Sequence, residues 1–90
     1  MNPKKEGALE ALHNRHSDPE KFLANLPAFL RSEREHYQLT QKELADWMNL
    51  ATQSYQAYES GKSIPTLPNF IRLADFFDVS LDEMIGRNSD

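Results

Sequence analysis

Apolar residues along this chain recur three and four apart, and nowhere alternate in the two-residue rhythm of a strand. The pattern predicts an all-α protein. Residues 1–17 are polar apart from a patch of Ala8, Leu9, Ala11 and Leu12. "SDPEKFLANL" then opens a helix. Ser17 or Asp18 can cap it, and Pro19 suits its first turn, where the amide hydrogen that proline lacks would have no partner anyway. Pro27 restarts the chain into a new helix. In "PAFLRSEREHY", Leu26, Leu30, Arg34 and Tyr37 share one face with Phe29 beside them, so a guanidinium lies among core positions.

"LTQKELADWM" opens the next helix with a capping box of Thr40 and Glu43. Leu44, Ala45 and Met48 form its inner face. Asn49 takes the following turn, where a left-handed backbone is expected, and Leu50 plugs it. "TQSYQAYESG" is a further helix stopped by Gly61. After the loop "KSIPTLP", the segment "PNFIRLADFF" carries a core stripe of Phe70, Leu73, Ala74 and Phe77, with Asp78 at its end. "SLDEMIG" repeats the capping box with Ser80 and Glu83 and stops at Gly86. Ile71 and Phe76 widen the stripe beyond one face. The alternatives to ordinary core are cover by residues 8–23, through Leu9, Leu12, Phe22 and Leu23, or cover by a second subunit.

Length and charge narrow the classes. Ninety residues make one small domain with an extension. The expected division is a partly helical extension over 1–24 that covers core or dimerises, a helical domain over 25–87 and a tail over 88–90. There is no cysteine, which excludes a disulfide framework and a thiolate metal site. No run approaches the roughly 18 apolar residues of a membrane span, and the first residues lack the apolar stretch of a signal peptide. The expected location is cytoplasmic. The net charge of -4, from 10 Lys+Arg and 14 Asp+Glu, argues against nonspecific coating of nucleic acid. A sequence-specific reader can still be acidic if its contact face is locally neutral or basic.

Candidate chemistry of other kinds is thin. His13 and His16 are three apart, but without a third ligand they read as solvated side chains. His36 reads as a helix-end residue near favourable carbonyl dipoles. The acid pairs Glu33–Glu35 and Asp82–Glu83 are explained by a solvated face and by capping. No nucleophile–base–orienter set is visible, so the chain is expected not to be an enzyme and to need no cofactor or metal.

The helix at 52–59 is the informative one. On a helical wheel Gln53, Gln56, Ala57 and Ser60 face one way, and Tyr55, Tyr58 and Glu59 another. The outer set is short, uncharged and rich in amide and hydroxyl groups, which suits the edges of bases. Glu59 falls inward, where a carboxylate needs a partner, and inward Arg34 is the obvious one.

Residues 26–86 resemble the Cro/CI-type (XRE-type) helix-turn-helix domain of phage and bacterial repressors. The resemblance lies in "RE", "LTQKELA", "YESGKSIP" and "LADFFDVSLDEMIG", in order and at the usual spacing. It implies a five-helix, lambda-repressor-like fold whose helix at 52–59 enters the major groove of double-stranded DNA. It also implies the inward pair at Arg34 and Glu59. Base-reading roles fall on Thr52, Gln53, Gln56 and Ala57. Phosphate roles fall on Gln41, Ser54, Ser60 and Lys62, with Lys42 as an addition. The function implied is a sequence-specific transcriptional regulator of repressor type, acting as a homodimer. Leu81, Met84 and Ile85 of the last helix, the extension, or both are the candidates for the dimer surface. The competing expectation is a protein-interaction module, antitoxin-like, anti-repressor or regulatory subunit, that binds a regulatory protein partner.

Three departures stand out. Asn49-Leu50-Ala51 replaces the usual Gly-Val-Ser turn, so the cap position has no side-chain acceptor. Thr52 is the alternative cap, which would remove it from the readers. Trp47 stands where the family has an exposed polar residue, and either covers core or marks a partner surface. Lys62 is the lone cation of its loop, which implies weak binding by one monomer.

Overall fold

Helices account for all the regular structure in the computed structural model, which describes residues 5, 7–13 and 18–87. They are α1 (Ala8–His13), α2 (Pro19–Leu23), α3 (Leu26–His36), α4 (Gln41–Trp47), α5 (Thr52–Ser60), α6 (Leu67–Phe77) and α7 (Leu81–Ile85). The five from α3 onward form the expected helix-turn-helix architecture, and α1 and α2 precede them in the chain. His16, Ser17, the His13 side chain and residues 88–90 lie outside the described residues.

Local chemistry explains where most helices begin. The Asp18 carboxylate accepts from the Lys21 amide and Pro19 follows at the first helical position. Thr40 and Glu43 close a reciprocal capping box at α4, and Ser80 and Glu83 close another at α7. Thr66 caps α6 through the Asn69 amide. Ala51 holds the extended backbone of a cap at α5 but offers no side-chain bond. Thr52 is therefore the first helical residue and not the cap.

The five helices from α3 onward end with one device, whereas α2 ends at Ala24 in the right-handed region. Gln38, Asn49, Gly61, Asp78 and Gly86 all have positive φ, between 56 and 79°. After four of them the next amide bonds five residues back: Leu39 to Arg34, Leu50 to Ala45, Val79 to Ala74 and Arg87 to Asp82. Asn49, Gly61 and Gly86 carry sequence signals for this conformation. Gln38 carries none; its strain is offset in part by Arg34, whose Nη1 donates to the Leu39 carbonyl at 2.8 Å.

The core is built from Leu26, Leu30, Leu44, Ala45, Met48, Tyr55, Tyr58, Leu73, Ala74, Phe77 and Met84. α5 packs on both α3 and α4, and α7 closes the far side against α3 and α6. Asn25 Nδ2 donates to the Ile85 carbonyl at 2.8 Å, tying the entrance of α3 to the end of α7.

Two expectations need correction here. Met84 is not a dimer surface: it is 0% exposed, filling the core of its own chain where α7 packs against α3 and α6. Leu81 is 37% exposed and Ile85 partly buried, so only Leu81 offers appreciable area. Nor do Leu9 and Leu12 cover α6, being 80% and 56% exposed. Phe76 is met instead by Trp47, with ring centroids 4.3 Å apart, while Ile71 stays exposed. Trp47 thus covers part of the core, yet keeps 59% of its surface free.

Candidate nucleic-acid interface

α5 is held from within. Tyr55, Tyr58 and Glu59 are its buried residues, spaced so that all three lie on its inner side, where the Tyr58 hydroxyl also accepts from Asn69 of α6 at 3.2 Å. Glu59 is the anchor. Arg34 grips it from two sides, Nε to Oε2 at 2.7 Å and Nη2 to Oε1 at 3.0 Å. The Tyr55 hydroxyl donates to Oε2, and Gln41 Nε2 donates to Oε1 at 3.1 Å. Arg31 Nε stands 3.8 Å from Oε1 on the solvent side. The expected Arg34–Glu59 pair is present, and both of its side chains are largely out of water, at 14% and 1% exposure.

The electrostatics follow from that shell. Burial alone would raise the Glu59 pKa, but the hydrogen bonds from Arg34, Tyr55 and Gln41 outweigh it and hold the carboxyl below its usual range. Burial, then the bond to the Glu59 carboxylate, pushes the Tyr55 phenol up. Every buried polar side-chain atom among the described residues has a partner, so the clasp is a satisfied network.

The outer face differs in kind. Gln53, Ser54, Gln56 and Ser60 are exposed, and Thr52 and Ala57 half-buried. With Glu59 turned inward, no charge projects from α5. Short uncharged side chains on a rigid helix can approach base edges closely without repulsion. Lys62 follows, exposed, just past the helix stop at Gly61. Lys42 is exposed too, but its Nζ sits 2.7 Å from Asp46 Oδ2, an ion pair that raises its pKa and competes with any phosphate.

Gln41 has a role that the sequence reading did not assign. Its amide bridges the clasp to the outer face: Nε2 bonds Glu59, while Oε1 accepts from Gln56 Nε2 at 3.1 Å. A signal existed. Gln41, Leu44, Ala45 and Met48 stand at i, i+3, i+4 and i+7, so Gln41 lies on the inner stripe of α4. Tyr55 as a Glu59 ligand was equally readable, four residues away on the same helix.

Two short helices joined by a tight left-handed turn, the second anchored inside and amide-lined outside, define a helix-turn-helix. The matching helix-turn-helix family model spans residues 30–84, and the chain belongs to that family, in its Cro/CI (XRE) type. Among curated proteins it is similar to the cryptic phage CTXphi transcriptional repressor RstR of Vibrio cholerae. The two are 38% identical over 58 residues, which cover 64% of this chain and 52% of the repressor. It is also 44% identical over 43 residues to the transcriptional regulator AnsR of Bacillus subtilis, covering 48% of this chain and 37% of that one. The crystal structure of a transcriptional regulator from Listeria innocua superposes with a TM-score of 0.67 at 28% identity, over 72% of this chain and 61% of the other. The chain spans about half the length, or less, of the curated relatives it matches.

Proposed function

We propose that the chain is a sequence-specific double-stranded DNA-binding transcriptional regulator of repressor type. In this reading α5 enters the major groove, and Thr52, Gln53, Gln56 and Ala57 meet base edges. Gln41, Ser54, Ser60 and Lys62 meet phosphates, with Lys42 contributing once it leaves Asp46. The observation that carries the reading is the division of α5: an uncharged amide and hydroxyl face outside, a clasped aromatic face inside. The relatives named as a repressor and as transcriptional regulators support it. With few cations on this face, one domain binds weakly, and a homodimer on two half-sites about 34–36 Å apart supplies the rest. Leu81 and the exposed leucines of α1 are the surfaces that support pairing. The working location is the cytoplasm; no helix among the described residues is long and apolar enough to cross a membrane.

Mobility shift against a random duplex library tests this. Saturable, sequence-selective binding is expected. Gln53→Ala changes the selected sequence at one position per half-site, whereas Lys62→Ala weakens all sites alike and flattens the salt slope by about 1. Equal binding by all three proteins defeats the contact assignment. The exposed Trp47 favours one rival, a protein-interaction module with weak or no DNA binding. It gains if no duplex is selected at low salt while a protein partner binds in a Trp47-dependent way.

A further inference from the structure

The bonds between Glu59, Gln41 and Gln56 give the outer face of α5 a direction. An ionised carboxylate can only accept hydrogen bonds. Gln41 therefore turns its Nε2 toward Glu59 Oε1, at 3.1 Å. That leaves Gln41 Oε1, again only an acceptor, facing α5. Gln56 must in turn present its Nε2, which lies 3.1 Å from Gln41 Oε1. The Gln56 carbonyl oxygen is left uncommitted among the described residues, on an exposed side chain.

A glutamine alone on a surface flips its amide freely and offers either end to a ligand. Here a flip of Gln56 sets carbonyl oxygen against carbonyl oxygen, and a flip of Gln41 sets one against the buried carboxylate. The anchor of the helix thus fixes how an exterior amide is turned, with its carbonyl oxygen free and its Nε2 keeping only one of two hydrogens for a ligand.

We propose that Gln41 is a positioning residue for base readout, holding Gln56 with its carbonyl oxygen available so that α5 prefers a base presenting an exocyclic amino group. In the major groove those are adenine N6 and cytosine N4. Guanine O6 or thymine O4 at the same place would meet the carbonyl oxygen to oxygen. The inference rests on the DNA-binding reading above and adds to it a preference at one position.

Selection from random duplexes is run with the unaltered chain, Gln56→Ala and Gln41→Met, after melting shows each to be folded. Methionine keeps the length of Gln41 and removes the relay. At the position where Gln56→Ala loses selectivity, the unaltered chain favours adenine or cytosine roughly fivefold, the worth of about one hydrogen bond. Gln41→Met loses its phosphate contact and binds all sites more weakly, but among the sites it still selects it admits guanine or thymine at that position alone. Guanine or thymine enriched there by the unaltered chain overturns the proposal, as does a Gln41→Met profile identical to it. Absence of any selection by the unaltered chain defeats the DNA reading and this readout together. The relay is then judged by nuclear magnetic resonance without DNA. The Gln56 side-chain amide signals shift in Gln41→Met if the relay exists, and stay in place if it does not.

Discussion

α5 and α1 are both short, nine residues and six, and neither is long enough to hold together alone in water. Their fates differ because of what reaches them. α5 lacks a side-chain cap and a strong apolar stripe, yet two aromatic rings and a fully bonded carboxylate hold it against α3 and α4. α1 has leucines three apart, the better amphipathic pattern, and none of residues 8–12 is buried. Local pattern makes a helix available. Long-range partners decide whether it becomes a rigid platform, and rigidity is what base readout demands.

The comparison breaks most sharply at the clasp. Glu59→Ala leaves Arg34 without its partner in a largely dry site. A loss of about 3–5 kcal/mol is expected, a fall in melting temperature of at least about 12 °C, measured by calorimetry. No change would mean that the clasp does not anchor α5. Acid titrates the same anchor. Because the Glu59 pKa is lowered on folding, its contribution is present above the unfolded carboxylate value of roughly 4.3 and is lost as pH falls through the lowered value. Glu43, held down by its bonds to Thr40, acts in the same direction. The melting temperature should therefore stay level at neutral pH and drop on acidification, less steeply in Glu59→Gln than in the unaltered chain.

Smaller changes sharpen the contrast. Ala51→Ser supplies the acceptor missing at the cap of α5, whose backbone is already extended there. About 1 kcal/mol of stabilisation is expected in denaturant titration, and a neutral result would mean that the first turn is already satisfied by solvent. Leu9→Ala with Leu12→Ala should move stability by less than about 0.5 kcal/mol, since both side chains are exposed. If α1 serves association, the double variant instead lowers the mass seen by sedimentation equilibrium while leaving the melting of the domain unchanged.

Much of this was legible residue by residue. Thr40–Glu43 and Ser80–Glu83 declare two helix starts because a cap is a contact three residues long. Asn49 announces a left-handed turn because few side chains tolerate one. The inward turn of Arg34 and Glu59 follows from helical period alone. Gln38 could not be read, since nothing about glutamine favours positive φ; the bond from Arg34 to Leu39 and the closing turn hold it there. Met84 looked like surface because an apolar residue on a terminal helix has two possible neighbours, its own core or another subunit.

By itself, then, the sequence determined the helices, their caps and stops, and which face of each is apolar, because these depend on residues within a turn or two. The tertiary structure alone decided what meets those faces: Trp47 on Phe76, Asn25 on Ile85, Met84 in the core and Gln41 between Glu59 and Gln56. The hydrogen-bonded pairs among them, Asn25–Ile85, Gln41–Glu59 and Gln41–Gln56, lie 60, 18 and 15 residues apart. No local period records such a meeting; it follows from how the helices pack.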